Sequence, residues 1–227
     1  MPKMPDKLFV TGCDVKTEWQ LPWFLENYFK HNHLPVAIAN FGMSEEMKKM
    51  VYNKPGVFCY MDINRGDENY DKAWFHKPAA MLATPAVNTF WIDTDCEILC
   101  NIHNIFDYIE PNKLTMAIDQ PWLKRRGDLW HNSGVVGFKH KPDVLKQWGE
   151  EVKKNPTVGD QEVLHNMLNP ITKMTYIKDL PNEYNWLRVQ LENDGQDSPN
   201  KKIMHWTGEK GNDRIRGKMK IKEYLNA

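Results

Sequence analysis

The segment PVAIANF (35–41) is an almost unbroken apolar run, and a run without a polar face has to be covered on both sides. That condition points to a strand in a sheet sandwiched between helices. The neighbouring segments supply the rest of such an architecture. KLFVTGC (7–13) reads as a strand centred on Leu8 to Thr11, and Leu21, Phe24, Leu25 and Tyr28 recur at helical spacing to make one apolar face. SEEMKKMVY (44–52) reads as a helix with Ser44 as its N-cap. GVFCYMDI (56–63) reads as a strand, DENYDKAWFHKPAAMLAT (67–84) as a helix kinked at Pro78, and NTFWID (88–93) as another strand. Strands alternating with helices predict an α/β sandwich with a largely parallel sheet.

The second half is less regular. KLTMAID (113–119), SGVVGFK (133–139) and KKIMHW (201–206) look like strands, and KPDVLKQWGEEVKK (141–154) and GDQEVLHNML (159–168) like helices. PWLKRRGDLW (121–130) and LENDGQDSPNKK (191–202) read as polar loops. A length of 227 residues suits one domain, with a first half of about 7–95, a second of about 96–210 and a basic tail over 211–227. Thirty basic residues balance thirty acidic ones, which argues against a general nucleic-acid binder. No apolar run is long enough to cross a bilayer, and MPKMPDKLFV lacks a signal-peptide core. The expected compartment is therefore the cytosol, where Cys13, Cys59, Cys96 and Cys100 stay reduced. The spacing of Cys96, Cys100 and His103 fits no common zinc template.

Ligands of open α/β sheets bind beyond the carboxyl ends of strands, and Asp93 and Asp95 stand at such an end. Residues two apart on extended chain point to one side, and two carboxylates side by side repel unless a cation lies between them. A hard divalent ion would answer that repulsion and could hold phosphate oxygens as well. A pair of turn or capping aspartates is the plain structural alternative. His205 closes a second strand-like run, and an imidazole added to two carboxylates favours manganese over magnesium.

Several segments, taken together and in order, resemble the GT-A glycosyltransferases, in particular the family 8 type of glycogenin and the lipooligosaccharide galactosyltransferases. They are FWIDTD (90–95), Lys77 sixteen residues before Asp93, HNSGVVGF (131–138), GDQEVL (159–164), LPNEYN (180–185) and IMHWTG (203–208). The resemblance covers about Val10 to Lys210 and implies the GT-A, Rossmann-like nucleotide-diphospho-sugar transferase fold, with a mixed, mostly parallel central sheet flanked by helices. It implies that Asp93, Asp95 and His205 hold Mn2+ or Mg2+ and that the donor is a UDP-sugar. Val10, Thr11 and Gly12 would line the nucleoside pocket, Thr94 would lie near the ribose, and Lys77 would contact the donor's phosphates or sugar side. Gly208 and Lys210 belong to the late donor-binding motif. Asp119, Asn132, Asp160 and Gln161 would surround the sugar and the acceptor hydroxyl of a glycan, lipid-linked or protein acceptor.

The chain departs from the family pattern in places. Lys210 follows His205 by five residues rather than six, and no Pro-Trp follows it, so Arg214 and Arg216 are alternatives for that role. His131 stands where the family has Phe. The implied reaction is transfer of a sugar from the nucleotide diphosphate to a hydroxyl with retention of configuration. An amide such as Gln161 is a poor nucleophile, so front-face attack is favoured over double displacement through Gln161 or Asp160. Each residue also has a plainer reading: Asp160 as helix cap, Asn132 as a partner for nearby backbone, Lys77 as a solvated helix lysine. Trp122 and Trp130 would pack the loop or stack on a sugar, and Lys124, Arg125 and Arg126 would be solvated or meet an anionic acceptor. The tail DRIRGKMKIKEYLNA (213–227) alternates basic and apolar residues, as a segment lying on an anionic membrane would. The competing functions are a non-catalytic sugar-nucleotide or glycan-binding protein and a sugar nucleotidyltransferase. The second would need a glycine-rich basic loop after the first strand, which VTGCDVKTEW does not supply.

Overall fold

The structure is a computed structural model that describes residues 5–63, 73–155 and 158–226. The apolar runs become β1 (Lys7–Cys13), β2 (Val36–Asn40), β3 (Val57–Asp62) and β4 (Asn88–Ile92). Between them lie α1 (Leu21–His31), α2 (Glu45–Tyr52) and α3 (Lys77–Ala83). Ser44 caps α2 by accepting the Met47 backbone N–H at 3.2 Å. The expected helix over 67–84 is corrected in its described part. Ala73–His76 forms a 3-10 turn and α3 begins at Lys77, with Pro78 in its first turn. A backbone N–H in the first turn has no acceptor within the helix, so the proton that proline lacks costs no bond, and Pro78 starts the helix rather than kinking it.

The rest of the chain continues with β5 (Cys96–Ile98), β6 (Leu114–Ile118), α4 (Gln120–Arg126), β7 (His131–Lys139), α5 (Asp143–Lys154) and α6 (Asp160–Met167). Then follow α7 (Pro170–Tyr176), β8 (Ile177–Leu180), β9 (Trp186–Leu187), α8 (Arg188–Glu192), β10 (Ile203–His205) and α9 (Gly208–Asn226). One loop reading is corrected, since PWLKRRGDLW contains α4. The basic tail is part of a 19-residue helix that begins at Gly208.

Seven strands form one sheet in the order β3-β2-β1-β4-β7-β6-β8, with β7 antiparallel to β4 and β6 and the other pairs parallel. Alternate residues feed two cores, one on each face. Phe9, Phe90 and Ile92 pack with Leu21, Phe24 and Tyr28 of α1 on one side. Leu8, Val10 and Trp91 pack with Val144 and Trp148 of α5 on the other. All five β2 side chains are buried, as a doubly covered strand requires. A second sheet has the order β5-β10-β9.

This topology gathers one end of the molecule. β4 ends at Ile92, and because β7 runs the other way its start lies alongside, with Ile92 opposite Val135. β6 ends where β7 begins, Ile118 opposite His131. In the small sheet His205 lies opposite Cys96 on one side and Leu187 on the other. Residues from five distant stretches of sequence therefore share one rim.

Candidate active site

Asp93 leaves β4 with its N–H bonded to the Gly134 carbonyl at 2.8 Å, and Trp206 N–H bonds the Asp95 carbonyl at 3.0 Å. The chain from Asp93 to Asp95 is thus pinned to the large sheet at one end and to the residue after β10 at the other. Trp91 Nε1 donates to Asp93 Oδ1 at 2.6 Å. Lys77, only 3% exposed, holds its ammonium 3.0 and 3.1 Å from the two Asp93 oxygens. The same Nζ donates to the Ser133 carbonyl at 3.1 Å and lies 3.3 Å from Asp160 Oδ2. Burial pulls the Lys77 ammonium down, but Asp160 and Asp93 outweigh it and hold the group above the usual lysine range. Burial lifts the Asp93 carboxyl, Lys77 opposes the lift, and the neighbouring Asp95 charge adds to it, leaving a net rise.

His205 Nε2 lies 3.1 Å from Asp95 Oδ1 and 3.9 Å from Asp93 Oδ2. Burial disfavours a charged His205 ring, yet Asp95 and Asp93 outweigh it and raise its pKa. Asp95 Oδ1 is buried with no well-aligned hydrogen bond. Among the described residues Asp93 and Asp160 pair with the Lys77 ammonium, while Asp95 meets the His205 ring. Three carboxylates gathered with one imidazole suit a divalent cation on carboxylate and imidazole ligands. Among the described residues Asp95, Cys96 and His205 also bring ligand atoms within 4.8 Å of one another. Burial pushes the Cys96 thiol well above its ordinary range, so it is a neutral sulfur and a poor ligand for a hard ion. Cys100 and His103 are not part of that group.

Beside the carboxylates lies a chain of amides. Asn132 Nδ2 donates to Asp119 Oδ2 at 3.1 Å and to Gln161 Oε1 at 3.0 Å, and Gln161 Nε2 donates to Asp119 Oδ2 at 3.0 Å. Asp119 also caps α4, accepting the Trp122 N–H at 3.1 Å. The structure therefore brings Asp119, Asn132, Asp160 and Gln161 together with Lys77, Asp93, Asp95 and His205. A cleft of about 310 Å3 opens beside them, lined by Asp119, Asn132 and Gln161 together with Trp122, Arg125 and Trp130.

The remaining expected residues make other contacts. The Val10 side chain belongs to the core, and Thr11 is fully buried with a hydroxyl that finds no partner among the described residues. A Cβ on Gly12 would stand 2.6 Å from the Ala39 carbonyl oxygen, so close strand packing explains that glycine. Thr94 donates to Gln20 Oε1 at 2.7 Å, and Gln20 donates to Asn212 of α9 at 2.7 Å. Gly208 opens α9 with φ +74°, and Lys210 is exposed in its first turn. Arg214 pairs with Glu192 at 2.7 Å, and Arg216 lies 4.4 Å over the Trp19 ring.

Three participants are not apparent from the sequence patterns alone. Ser133 receives Lys77, and Asn185, fully buried, meets His205 Nδ1 through its Oδ1 at 2.9 Å. Gly134 leaves room for that histidine, since a Cβ there would stand 2.1 Å from His205 Cε1. A glycine inside a strand pattern signals close approach of something, which was the available clue.

Trp122 and Trp130 stack on each other at 5.2 Å, Trp130 stacks on His165 at 3.5 Å, and the Arg126 guanidinium covers Trp122 at 4.0 Å. Lys173 Nζ sits 2.7 Å from His165 Nδ1 and donates to the Leu129 carbonyl at 3.0 Å. The two indoles thus pack one wall of the cleft. Lys124 pairs with Asp194 at 3.3 Å, while Arg125 lines the cleft.

The fold is similar to that of WbbM, a bifunctional glycosyltransferase, at 14% identity and a TM-score of 0.63 over 92% of this chain and 47% of that one. It is similar to the galactosyltransferase LgtC in complex with donor and acceptor sugar analogs, at 13% identity and a TM-score of 0.62 over 88% of this chain and 87% of that one. The apo form of the glycosyltransferase GlyE from Streptococcus pneumoniae TIGR4 matches at 17% identity and a TM-score of 0.65, over 90% and 55%. The chain spans about half the length of the WbbM and GlyE chains. No family model and no curated protein matches the sequence. At these identities the likeness is one of fold, and the fold is that of the GT-A glycosyltransferases.

Proposed function

We propose that this GT-A-folded chain is a metal-dependent glycosyltransferase that moves a sugar from a UDP-sugar to an acceptor hydroxyl with retention of configuration. The observation that carries the reading is the convergence of Asp93, Asp95 and His205, with Lys77 and Asp160 behind them, at the carboxyl end of β4. In this reading Asp93, Asp95 and His205 hold Mn2+ or Mg2+. Bound there, the ion would supply positive charge against the departing diphosphate.

Lys77 fixes two carboxylates at once, Asp93 on the ligand side and Asp160 on the sugar side, and adds its charge beside the donor. In this reading Thr11, Gly12, the Val10 backbone and Thr94 flank the nucleoside, and Gly208 and Lys210 meet the donor from α9. Asp119, Asn132 and Gln161 orient the sugar and the incoming hydroxyl, and the cleft beside them takes the acceptor, a glycan, lipid-linked or protein hydroxyl. Asp160 faces the buried Lys77 ammonium, and Gln161 is bonded to Asp119, Asn132 and Ser133. Neither is a free nucleophile, which supports front-face attack. A cytosolic site of action suits the reduced cysteines, and among the described residues no helix is long and apolar enough to cross a membrane.

The test is a thermal-shift panel of nucleotide-sugars with and without Mn2+, followed by a transfer or hydrolysis assay on the donors that bind. A bound donor raises the midpoint in proportion to ln(1 + [L]/Kd). The expected result is a metal-dependent rise with a UDP-sugar and turnover that Asp95→Asn abolishes. No shift with any donor sinks the proposal, and donor binding without turnover in the parent makes the chain a binding protein of the same fold.

A further inference from the structure

The hydrogen bonds around Asn132 decide the chemistry of His205 from a distance. The Gly134 backbone N–H can only donate, and it lies 2.9 Å from Asn132 Oδ1. That fixes the Asn132 amide with its oxygen on this side and its nitrogen toward Asp119 and Gln161. The same Oδ1 accepts Asn185 Nδ2 at 2.9 Å, so Asn185 is turned with its oxygen toward His205. Asn185 Oδ1 is 2.9 Å from His205 Nδ1, and an amide oxygen can only accept. The proton of the neutral ring therefore sits on Nδ1, and Nε2 presents its lone pair toward Asp95 and Asp93.

We infer that Asn185 is a positioning residue. It selects the Nδ1–H form of His205, so that Nε2 is available as a ligand, and through Asn132 it ties the orientation of that ligand to Asp119 and Gln161 on the sugar side. In the neutral Nδ1–H ring the Nε2 lone pair and the Asp95 oxygen 3.1 Å away are both acceptors, so either a proton or a bound metal ion is required between them. Fixing the ring from behind by the other nitrogen is how ligating histidines are commonly oriented. Asn185 is fully buried and makes no contact with the cleft, so it acts only through these two bonds. Its significance for the ion rests on the function proposed above, whereas the tautomer stands by itself.

Two readouts separate the two. The first is the ring 15N spectrum of His205 in the metal-free protein, recorded above the ring's titration. The expected signature is Nδ1–H. Asn185→Ala should lose the single tautomer, whereas Asn185→Asp loses the donor to Asn132 but keeps an acceptor toward Nδ1 and should retain it. The second is Mn2+ affinity by titration. Asn185→Ala should weaken it by about 10- to 100-fold, the usual effect of removing an outer partner of a ligating histidine. Asn185→Asp should stay within a few-fold of the parent. An Nε2–H ring in the parent overturns the inference without any variant, even where Asn185→Ala fails to fold. So does an Asn185→Ala protein that keeps the Nδ1–H ring and binds Mn2+ within twofold of the parent. A parent with the Nδ1–H ring that binds no Mn2+ sinks the metal reading and leaves the tautomer assignment supported.

Discussion

A Cβ on Gly134 would stand 2.1 Å from His205 Cε1, 2.5 Å from its Nδ1 and 3.0 Å from Asn132 Oδ1, where the ring is held on both sides. The ring has no free direction to give, because Asn185 grips Nδ1 and the carboxylates face Nε2. Gly134→Ala is expected to lower Mn2+ affinity at least about tenfold and to cost about 1–3 kcal/mol of stability by overpacking. Metal titration and urea denaturation measure the two, and an alanine variant with parental values in both would contradict the structure. Asp93, Asp95 and His205 stand at the ends of apolar runs in the sequence, whereas Lys77, inside the helix expected over 67–84, is singled out by the family resemblance. What was not legible is what holds them. Trp91 reads as a core anchor, and it is one, yet its indole N–H also reaches Asp93. Asn185 sits in LPNEYN with nothing local to show that its partner lies twenty residues on.

Elements were legible where periodicity was strong. α1, α2 and α5 show the helical period and β2 the continuous apolar run of a doubly covered strand, and α5 buries Val144, Leu145, Trp148 and Val152 as its spacing predicts. α4 was read as loop because only Pro121 on it is buried, so it has no apolar stripe. Its punctuation was present all the same, with Asp119 as cap, Pro121 in the first turn and Gly127 at φ +74° beyond the end. α9 is hidden for a similar reason, since its charged and apolar residues alternate without forming a stripe, and among its described residues Gly211 and Ile215 are the buried ones. A Cβ on Gly211 would stand 1.8 Å from the Trp206 carbonyl oxygen, which is backbone and has no rotamer to change. Gly211→Ala is therefore expected to lift α9 from the small sheet and cost at least about 2 kcal/mol. Gly217 on the same helix has nothing within 4 Å of its Cβ position, so Gly217→Ala should be neutral or stabilising by up to about 1 kcal/mol. Thermal denaturation of the pair measures the contrast, and equal losses would contradict the packing described.

At the scale of the molecule, β1 and β4 lie inside the large sheet with a core on each face, whereas β3 lies at one end of the strand order with only partly buried side chains. Hydrogen exchange should therefore open β3 well before β1 and β4, because local openings draw on the least buried elements first. Protection of β3 equal to that of β4 would contradict this. The alternation of the first half made the parallel part of the sheet legible. The antiparallel entry of β7 between β4 and β6, which brings Asn132 and Gly134 beside Asp93, depends on pairings far apart in sequence and leaves no local mark. The stacked indoles of Trp122 and Trp130 join α4 to the start of β7, and Trp130 reaches α6 through His165. Two indoles 5.2 Å apart share their electronic excitation, and such a pair gives a circular-dichroism signal that a lone tryptophan does not. The chain has nine tryptophans, so the difference between the parent spectrum and that of Trp122→Phe isolates this pair as an optical gauge of one wall of the cleft, readable without a label while substrates are added.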